Sequence, residues 1–361
     1  MRYYYGMKRW QLRTWIYAMF AILVIVSVAA TPRSPAPSAD KPETIIYEHS
    51  PDERAPWPIL DIYSLVTDSK SVRALTNDGH SHTPSVSPDG QHILFVHDAA
   101  PHTKLPHHEP SETDSHHPIE LYVMNRDGSN PRLIRRMETA ILRATWSPDG
   151  KTIAATAAYL PEESAGVEMN AGEPPKPPVT GLFLFPLDGP GEPRLLFRDA
   201  FTPAWSPDGH RIAFSARQRG SRWAIHVANV NGSGEIELTD PTLNAGSPVW
   251  SPDGRHIAFD AFVGGHSWQE IFTMDEDGSR QRQLTTDYNW ECSAPSWSHD
   301  GEKIAFYCRS VSSPCGAGVG GKSGKRGGCI RRVFMTSAFD LQAKPAQLTE
   351  HDGAFPVFAP Q

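Results

Sequence analysis

Apolar residues in this chain gather in short runs bounded by turn residues. Ile93 to Val96, Ile153 to Ala155, Ile212 to Phe214, Ile257 to Phe259 and Ile304 to Phe306 each begin within three residues of an Asp-Gly pair. Before each pair stands nearly the same phrase, Trp-Ser-Pro-Asp-Gly or a close variant, in the stretches Thr83 to Gly90, Ala144 to Gly150, Pro203 to Gly209, Pro248 to Gly254 and Pro295 to Gly301. Asp-Gly between apolar runs signals a hairpin, so each phrase predicts a strand, a tight turn and a second strand.

The second half of each unit repeats as well. Leu121 to Asn125 leads to Arg132 to Ile134, Phe183 to Leu187 to Arg194 to Leu196, Ile225 to Val230 to Glu237 to Thr239, Ile271 to Asp275 to Gln283 to Thr285, and Val333 to Thr336 to Gln347 to Thr349. Each unit is therefore a four-stranded antiparallel meander, A-B-C-D. A period of roughly 40 to 60 residues marks a repeat array. Thr44 to Tyr47, Ile59 to Leu65 and Val72 to Thr76 read as B, C and D strands, and Ala354 to Phe358 reads as an A strand. The expectation is an all-β, six-bladed β-propeller of four-stranded antiparallel blades. Pairing the C-terminal strand with the N-terminal three closes it and leaves no free sheet edge.

From Glu43 to Pro360 these repeats resemble the six-bladed, WD40-like (PD40) propellers of TolB and of prolyl-oligopeptidase-like peptidases. The TolB resemblance implies an extracytoplasmic propeller that binds an envelope protein, as TolB binds a peptidoglycan-associated lipoprotein. TolB-like proteins place an α/β domain before the propeller, where this chain has only Thr31 to Pro42, so no binding residues are carried over. The peptidase resemblance implies a following hydrolase domain with a G-x-S-x-G elbow; no such pentapeptide occurs, and peptidase activity is set aside. Some polysaccharide lyases with similar repeats use metal-bound histidines, which gives the alternative of a metal-dependent, lyase-like enzyme.

Residues 1–30 differ in kind: Arg2, Lys8, Arg9 and Arg13 precede an uncharged apolar run from Trp15 to Ala30. That order predicts a hydrophobic helix that directs the downstream chain across a membrane, either as a cleaved signal peptide or as a retained anchor. Residues 31–42 read as a Pro-rich linker and 43–361 as the propeller. The propeller is expected outside the cytoplasm, periplasmic or at the cell surface.

With 34 basic and 41 acidic residues the net charge is −7, which argues against a nucleic-acid partner. A basic cluster, Lys322, Lys325, Arg326, Arg331 and Arg332, reads as a solvated loop, with Lys325 and Arg326 the candidates for an anionic partner. All four cysteines fall in one unit, and an even number in an exported chain suggests disulfides. Three pairings of Cys292, Cys308, Cys315 and Cys329 are open; the favoured one joins Cys308 with Cys329 and Cys292 with Cys315.

The A-to-B and C-to-D turns are short. Every long insertion (Asp98 to Pro118, Ala158 to Thr180, Arg309 to Gly328) falls in a B-to-C loop, and so on one face of a disc. His80, His82, His107, His108, His116 and His117 map to that face and are its candidate binding residues. Imidazoles there would suit a transition metal, with His80, His82, His107 and His108 as candidate ligands, although no fixed-spacing signature is present. The turn aspartates, the repeated tryptophans and the stretch Asp275 to Gly278, which opens like a calcium loop, read as structural. The leading reading is a non-catalytic binding or scaffold propeller with a protein or envelope partner and no required cofactor.

Overall fold

The computed structural model describes residues 42–50, 60–98, 119–137, 141–159, 179–189, 191–217, 222–263, 268–287, 289–311, 331–340 and 342–360. These belong to one compact unit, 42–361. The expected N-terminal helix lies outside the described residues, none of which forms a helix long and apolar enough to cross a membrane.

The described residues begin in the middle of a blade. Strands β1 (Thr44–His49), β2 (Asp61–Val66) and β3 (Ser71–Ala74) are its B, C and D strands. Blade 1 follows as β4 (Ser81–Val86), β5 (His92–Asp98), β6 (Ile119–Asn125) and β7 (Arg132–Met137), and blade 2 as β8 (Ile141–Trp146), β9 (Thr152–Tyr159), β10 (Val179–Pro186) and β11 (Arg194–Arg198). Blade 3 holds β12 (Ala200–Trp205), β13 (Arg211–Arg217), β14 (Trp223–Asn229) and β15 (Ile236–Glu237); blade 4 holds β16 (Gly246–Trp250), β17 (His256–Phe262), β18 (Gln269–Asp275) and β19 (Arg282–Gln283). Blade 5 is β20 (Trp290–Trp297), β21 (Lys303–Ser310), β22 (Arg331–Ser337) and β23 (Ala346–Gln347), and β24 (Ala354–Ala359) returns to pair with β1. There are six four-stranded antiparallel sheets, the last in the order β24-β1-β2-β3, as the repeats predict. The A strands adjoin one another in a ring, β4, β8, β12, β16, β20 and β24, around a central channel.

Why the sequence favours this arrangement is clearest in the B strands, which read Ile-Ala-Phe at 212–214, 257–259 and 304–306. Alternate residues of a strand face opposite sides of the sheet. Ile257 and Phe259 therefore pack on Ala213 of the preceding blade, while Ala258 receives Ile304 and Phe306 of the following one. Large side chains meet small ones at each junction, and every interface between blades is a closed apolar cluster. Both faces of the B strands are thereby buried, while the outer D strands stay largely exposed.

The repeated phrase is a self-contained turn. In all five copies the serine hydroxyl donates to the aspartate Oδ1 at 2.5–2.6 Å, and that oxygen also accepts the N–H two residues on. These bonds, the serine's first, hold the carboxyls of Asp89, Asp149 and Asp208 below the usual range. Two of the four repeated tryptophans link neighbours: Trp146 Nε1 donates to Ser85 O at 3.2 Å and Trp297 Nε1 to Val249 O at 3.1 Å, each in the preceding A strand.

A second device recurs at the C and D strands. Thr76, Thr239, Thr285 and Thr349 accept, through Oγ1, the N–H of Ile62, Ile225, Ile271 and Val333 at 2.9–3.0 Å. Thr76 and Thr285 then donate to Asp61 and Glu270 at the start of their C strands. The stretch Asp275 to Gly278 is a hairpin turn: Asp277 accepts the Ser279 N–H, and Arg280 Nε bonds Asp275 at 2.5 Å. Gly278 has φ +85°, and a Cβ there would lie 2.7 Å from Leu238 O of the preceding blade, so the turn can seat only glycine.

The cysteine pairing differs from expectation. Cys292 and Cys308 are direct cross-strand partners in β20 and β21 and are disulfide-bonded, which rules out both favoured pairs. The expectation considered the link between B and C strands and passed over the A-to-B register, which sets the two residues face to face. Cys315 and Cys329 lie outside the described residues.

Candidate functional site

The candidate side chains gather at one end of the disc, on the face of the B-to-C and D-to-A connections. Each A strand is bulged near this end, opposite its own B strand or at β1 for the last blade. A bulge bends the strand and re-aims its side chains. At the bulge Thr83, Thr202, Ser247, Ala294 and Phe355 take left-handed φ of 48–52°. Such a conformation costs on the order of 1 kcal/mol or more in a residue with a side chain. Polar side chains of the preceding blade offset it: Thr83 N–H donates to Glu48 at 3.3 Å, Thr202 N–H to Thr156 Oγ1 at 2.9 Å and Ala294 N–H to Asp260 at 3.1 Å.

Glu48, Thr156 and Asp260 occupy one B-strand position, which Val96, Ser215 and Tyr307 fill in the other blades. This ring lies between each blade and the A strand of the next, and it differs at every blade. Asp260 is buried and its oxygens are engaged: Ser293 Oγ donates at 2.5 Å and Gln269 Nε2 at 3.2 Å, beside the Ala294 N–H. Burial pushes its carboxyl up, opposed by the bonds from Ser293, Ala294 and Ser247 and by Arg143. The Tyr307 phenol is pushed up to about 12, chiefly by burial and then by Asp260. Burial lowers the His82 imidazole, against the pull of Glu48 and Asp98.

Arg331, at the start of β22, joins two blades. Its guanidinium donates to Glu48 at 2.8 Å and to Asp352 at 2.7 and 3.1 Å, and its N–H donates to Asp352 at 2.9 Å. Burial opposes the charge, and the bonds to Asp352 and Glu48 more than compensate, so its pKa rises. Glu48 and Asp352 are each 2% exposed. Arg331 is accordingly an interior ion-pair residue, and the expectation that it belongs to a solvated basic loop is corrected.

Arg143 occupies in blade 2 the place that Thr83, Thr202, Ser247, Ala294 and Phe355 hold elsewhere. Its guanidinium reaches across the channel to lie 5.8 Å from the Phe355 ring centroid. Enclosure within the disc lowers its pKa, opposed by Asp260, Tyr307 and Glu48.

Three of the expected histidines are described. The rings of His80 and His97 stand 6.2 Å apart, and His97 Nδ1 is 3.7 Å from Asp78; His82 lies within electrostatic reach of Glu48, Asp98 and His97, and its Nδ1 is 3.4 Å from Thr83 Oγ1. Among the described residues no three His, Cys, Asp or Glu side chains are arranged to hold a metal ion. His107, His108, His116, His117, Lys325 and Arg326 lie outside the described residues.

Sequence reasoning missed Glu48, Arg143, Asp260 and Tyr307. Aligning the units on their tryptophans shows Arg143 as the one cation at its position, and Asp260 as an acid inside the apolar run 257–262. Those two signals were present in the repeats.

Residues 198–315 match the family model described as PD40, TolB beta propeller domain. No curated protein matches the chain. Among solved structures, TolB from Acinetobacter baumannii superposes with a TM-score of 0.62 at 17% identity, covering 88% of this chain and 67% of that one. A putative TolB from Agrobacterium tumefaciens gives 0.57 at 18% identity, over 87% of this chain and 91% of that one. Kuenenia stuttgartiensis hydrazine synthase gives 0.60 at 14%, over 89% and 47%. By its repeats and its six blades the chain is similar to TolB propellers; at such identities the structural likeness is one of fold.

Proposed function

We propose that this TolB-like propeller is an extracytoplasmic, non-catalytic binding module that presents its loop face and channel mouth to a protein of the cell envelope. One observation carries the reading: the opposite face repeats one self-bonded turn five times, while side-chain variety concentrates at the mouth, where the B-to-C connections that carry the long insertions in the sequence leave and rejoin the described strands. Variable connections on a rigid repeat frame are where binding residues collect. The charged groups described there act as struts. Glu48 is bonded to Arg331 and a backbone amide, and Asp260 to Ser293, Gln269 and a backbone amide. The fold alone fixes no activity, since hydrazine synthase is similar in fold. The Cys292–Cys308 disulfide suits an oxidising compartment.

The test is cross-linking capture from a cell-envelope extract. The full-length chain is compared with a variant whose three long B-to-C insertions are cut to short turns, each captured protein being identified and its binding reconstituted from purified components. Binding by the complete form alone supports the proposal. Equal binding by both forms, or none by either, overturns it.

A further inference from the structure

We propose that the cleft between blades 2 and 3 on the turn face is a binding site for a small organic cation of the guanidinium type, held flat on the Trp205 indole. This site lies at the opposite end of the disc from the mouth and does not depend on the reading of the mouth as the partner-binding face.

One position of the repeat sets this cleft apart from its neighbours. The residue before the B-strand isoleucine is His92, Thr152, Arg211, His256 and Lys303 in blades 1 to 5. At three junctions this side chain reaches the following blade: the Arg211 guanidinium lies 4.6 Å from the Trp250 ring centroid, His256 stacks on Trp297 at 6.4 Å, and Lys303 Nζ donates to Glu43 at 3.1 Å. His92 lines the groove beside Trp146. Thr152 is too short to cover Trp205, and the cleft that the two line measures about 820 Å³, against about 450 Å³ beside His92 and about 370 Å³ beside His256. That volume falls within the range of small-ligand sites. The tryptophans register the difference: Trp146, Trp250 and Trp297 are 5–7% exposed, whereas Trp205 is only half-buried.

The next junction shows which chemistry such a cleft takes. Trp205 and Trp250 share a buried indole N–H without a hydrogen-bond partner, where Trp146 and Trp297 donate to the preceding A strand. On Trp250 the ring face carries the Arg211 guanidinium, which also donates to Glu276 at 2.6 Å. A cation over an indole face is attracted by the ring quadrupole, and a planar one can lie flat on it. At the Trp205 cleft Val230 stands in the place of Glu276, and the negative charge comes instead from the two bordering turns, Asp149 and Asp208. Their Oδ1 atoms are taken by the turn, which keeps both carboxyls ionised and leaves each Oδ2 without a bond among the described residues. With Glu192 the lining holds three carboxylates against His210 and one guanidinium, that of Arg194, which donates to Val230 O at 2.8 Å. Among the described residues no three acids or histidines are arranged for a metal ion, so this charge and the open indole suit an organic cation.

The experiment uses the full-length chain in mild detergent with its tryptophan indole nitrogens labelled for NMR. The Trp205 signal is identified by its loss in Trp205→Phe, and those of Trp146, Trp250 and Trp297 likewise. Ethylguanidinium and its neutral counterpart ethylurea are titrated separately. Ethylguanidinium is expected to move the Trp205 signal saturably while Trp146 and Trp297 stay fixed, and ethylurea to leave all of them unmoved. Thr152→Arg, which supplies a guanidinium from within as Arg211 does for Trp250, should weaken the response by roughly tenfold or more without lowering the melting temperature. Thr152→Ala, which leaves the cleft open, should respond as the wild type does. Arg211→Thr should make the Trp250 signal responsive to the same cation. A Trp205 signal that stays fixed at millimolar ethylguanidinium, that responds equally to ethylurea, that moves only together with Trp146 and Trp297, or that responds undiminished in a folded Thr152→Arg chain overturns the proposal.

Discussion

At the turn face of the disc five hairpins repeat the same three side-chain bonds, whereas at the channel mouth no two blades carry the same residue on the ring Glu48, Val96, Thr156, Ser215, Asp260 and Tyr307. Both ends are made by the same A and B strands, so the backbone does not account for the difference. A turn whose serine hydroxyl, aspartate Oδ1 and backbone amides satisfy one another has the same shape at every blade. A mouth built from unlike side chains is bonded differently at each.

Four changes would break or sharpen this comparison. The largest effect is expected from deleting residues 354–361, which removes β24, the innermost strand of the split blade and the acceptor of β1. The product should unfold or oligomerise, because exposed sheet edges pair with other chains; a monomer with an unchanged melting curve by light scattering and circular dichroism would show that the ring closes otherwise.

Next comes Arg331→Ala, which strands Glu48 and Asp352 in the interior. Removing one partner of a buried ion pair typically costs about 3–5 kcal/mol. Denaturant unfolding of Arg331→Ala, Glu48→Gln and the double variant should show strong coupling, the double being far less harmful than the sum of the two. Additive losses would mean that the residues act independently.

Glu270 gives a smaller, pH-dependent effect. Burial raises its pKa from 4.5 to about 7, against the bond from Thr285 and with help from Asp287. The fold prefers the neutral acid, so its contribution is intact below the unfolded pKa near 4.5 and is lost as the pH rises through about 7. Wild-type melting temperature should therefore fall between about pH 5 and pH 8 by more than that of Glu270→Gln. Parallel pH profiles would remove this carboxyl from the account.

The smallest effect lies at the turn face. Ser206→Ala removes the donor to Asp208 and the acceptor for the Arg211 N–H, at a cost of about 1–2 kcal/mol. Partner binding should be unchanged at temperatures where the variant is folded. A loss of binding measured by calorimetry would give that face a role in recognition.

The repeats made the blades legible because their chemistry is local: a serine bonds an aspartate two residues away, and an Ile-Ala-Phe strand carries its own inward and outward pattern. The Cys292–Cys308 pair was also within reach, since the tryptophan phrase sets the register of β20 on β21. The mouth was hidden for a different reason. Arg331 meets Asp352 across 21 positions and Glu48 across 283, and Arg143 meets Phe355 only because the ring closes. No local pattern encodes a contact made across a channel. Arg143 could be read as unusual from the aligned repeats, but not the contact it makes across the ring.

The most direct test of the difference between the two faces is hydrogen–deuterium exchange of the full-length chain with and without its captured envelope partner. Protection is expected at residues 80–83, 142–144 and 201–203 around the mouth, with the five turns unchanged. Protection confined to the turns at 87–91, 147–151, 206–210, 251–255 and 298–302 would contradict the account.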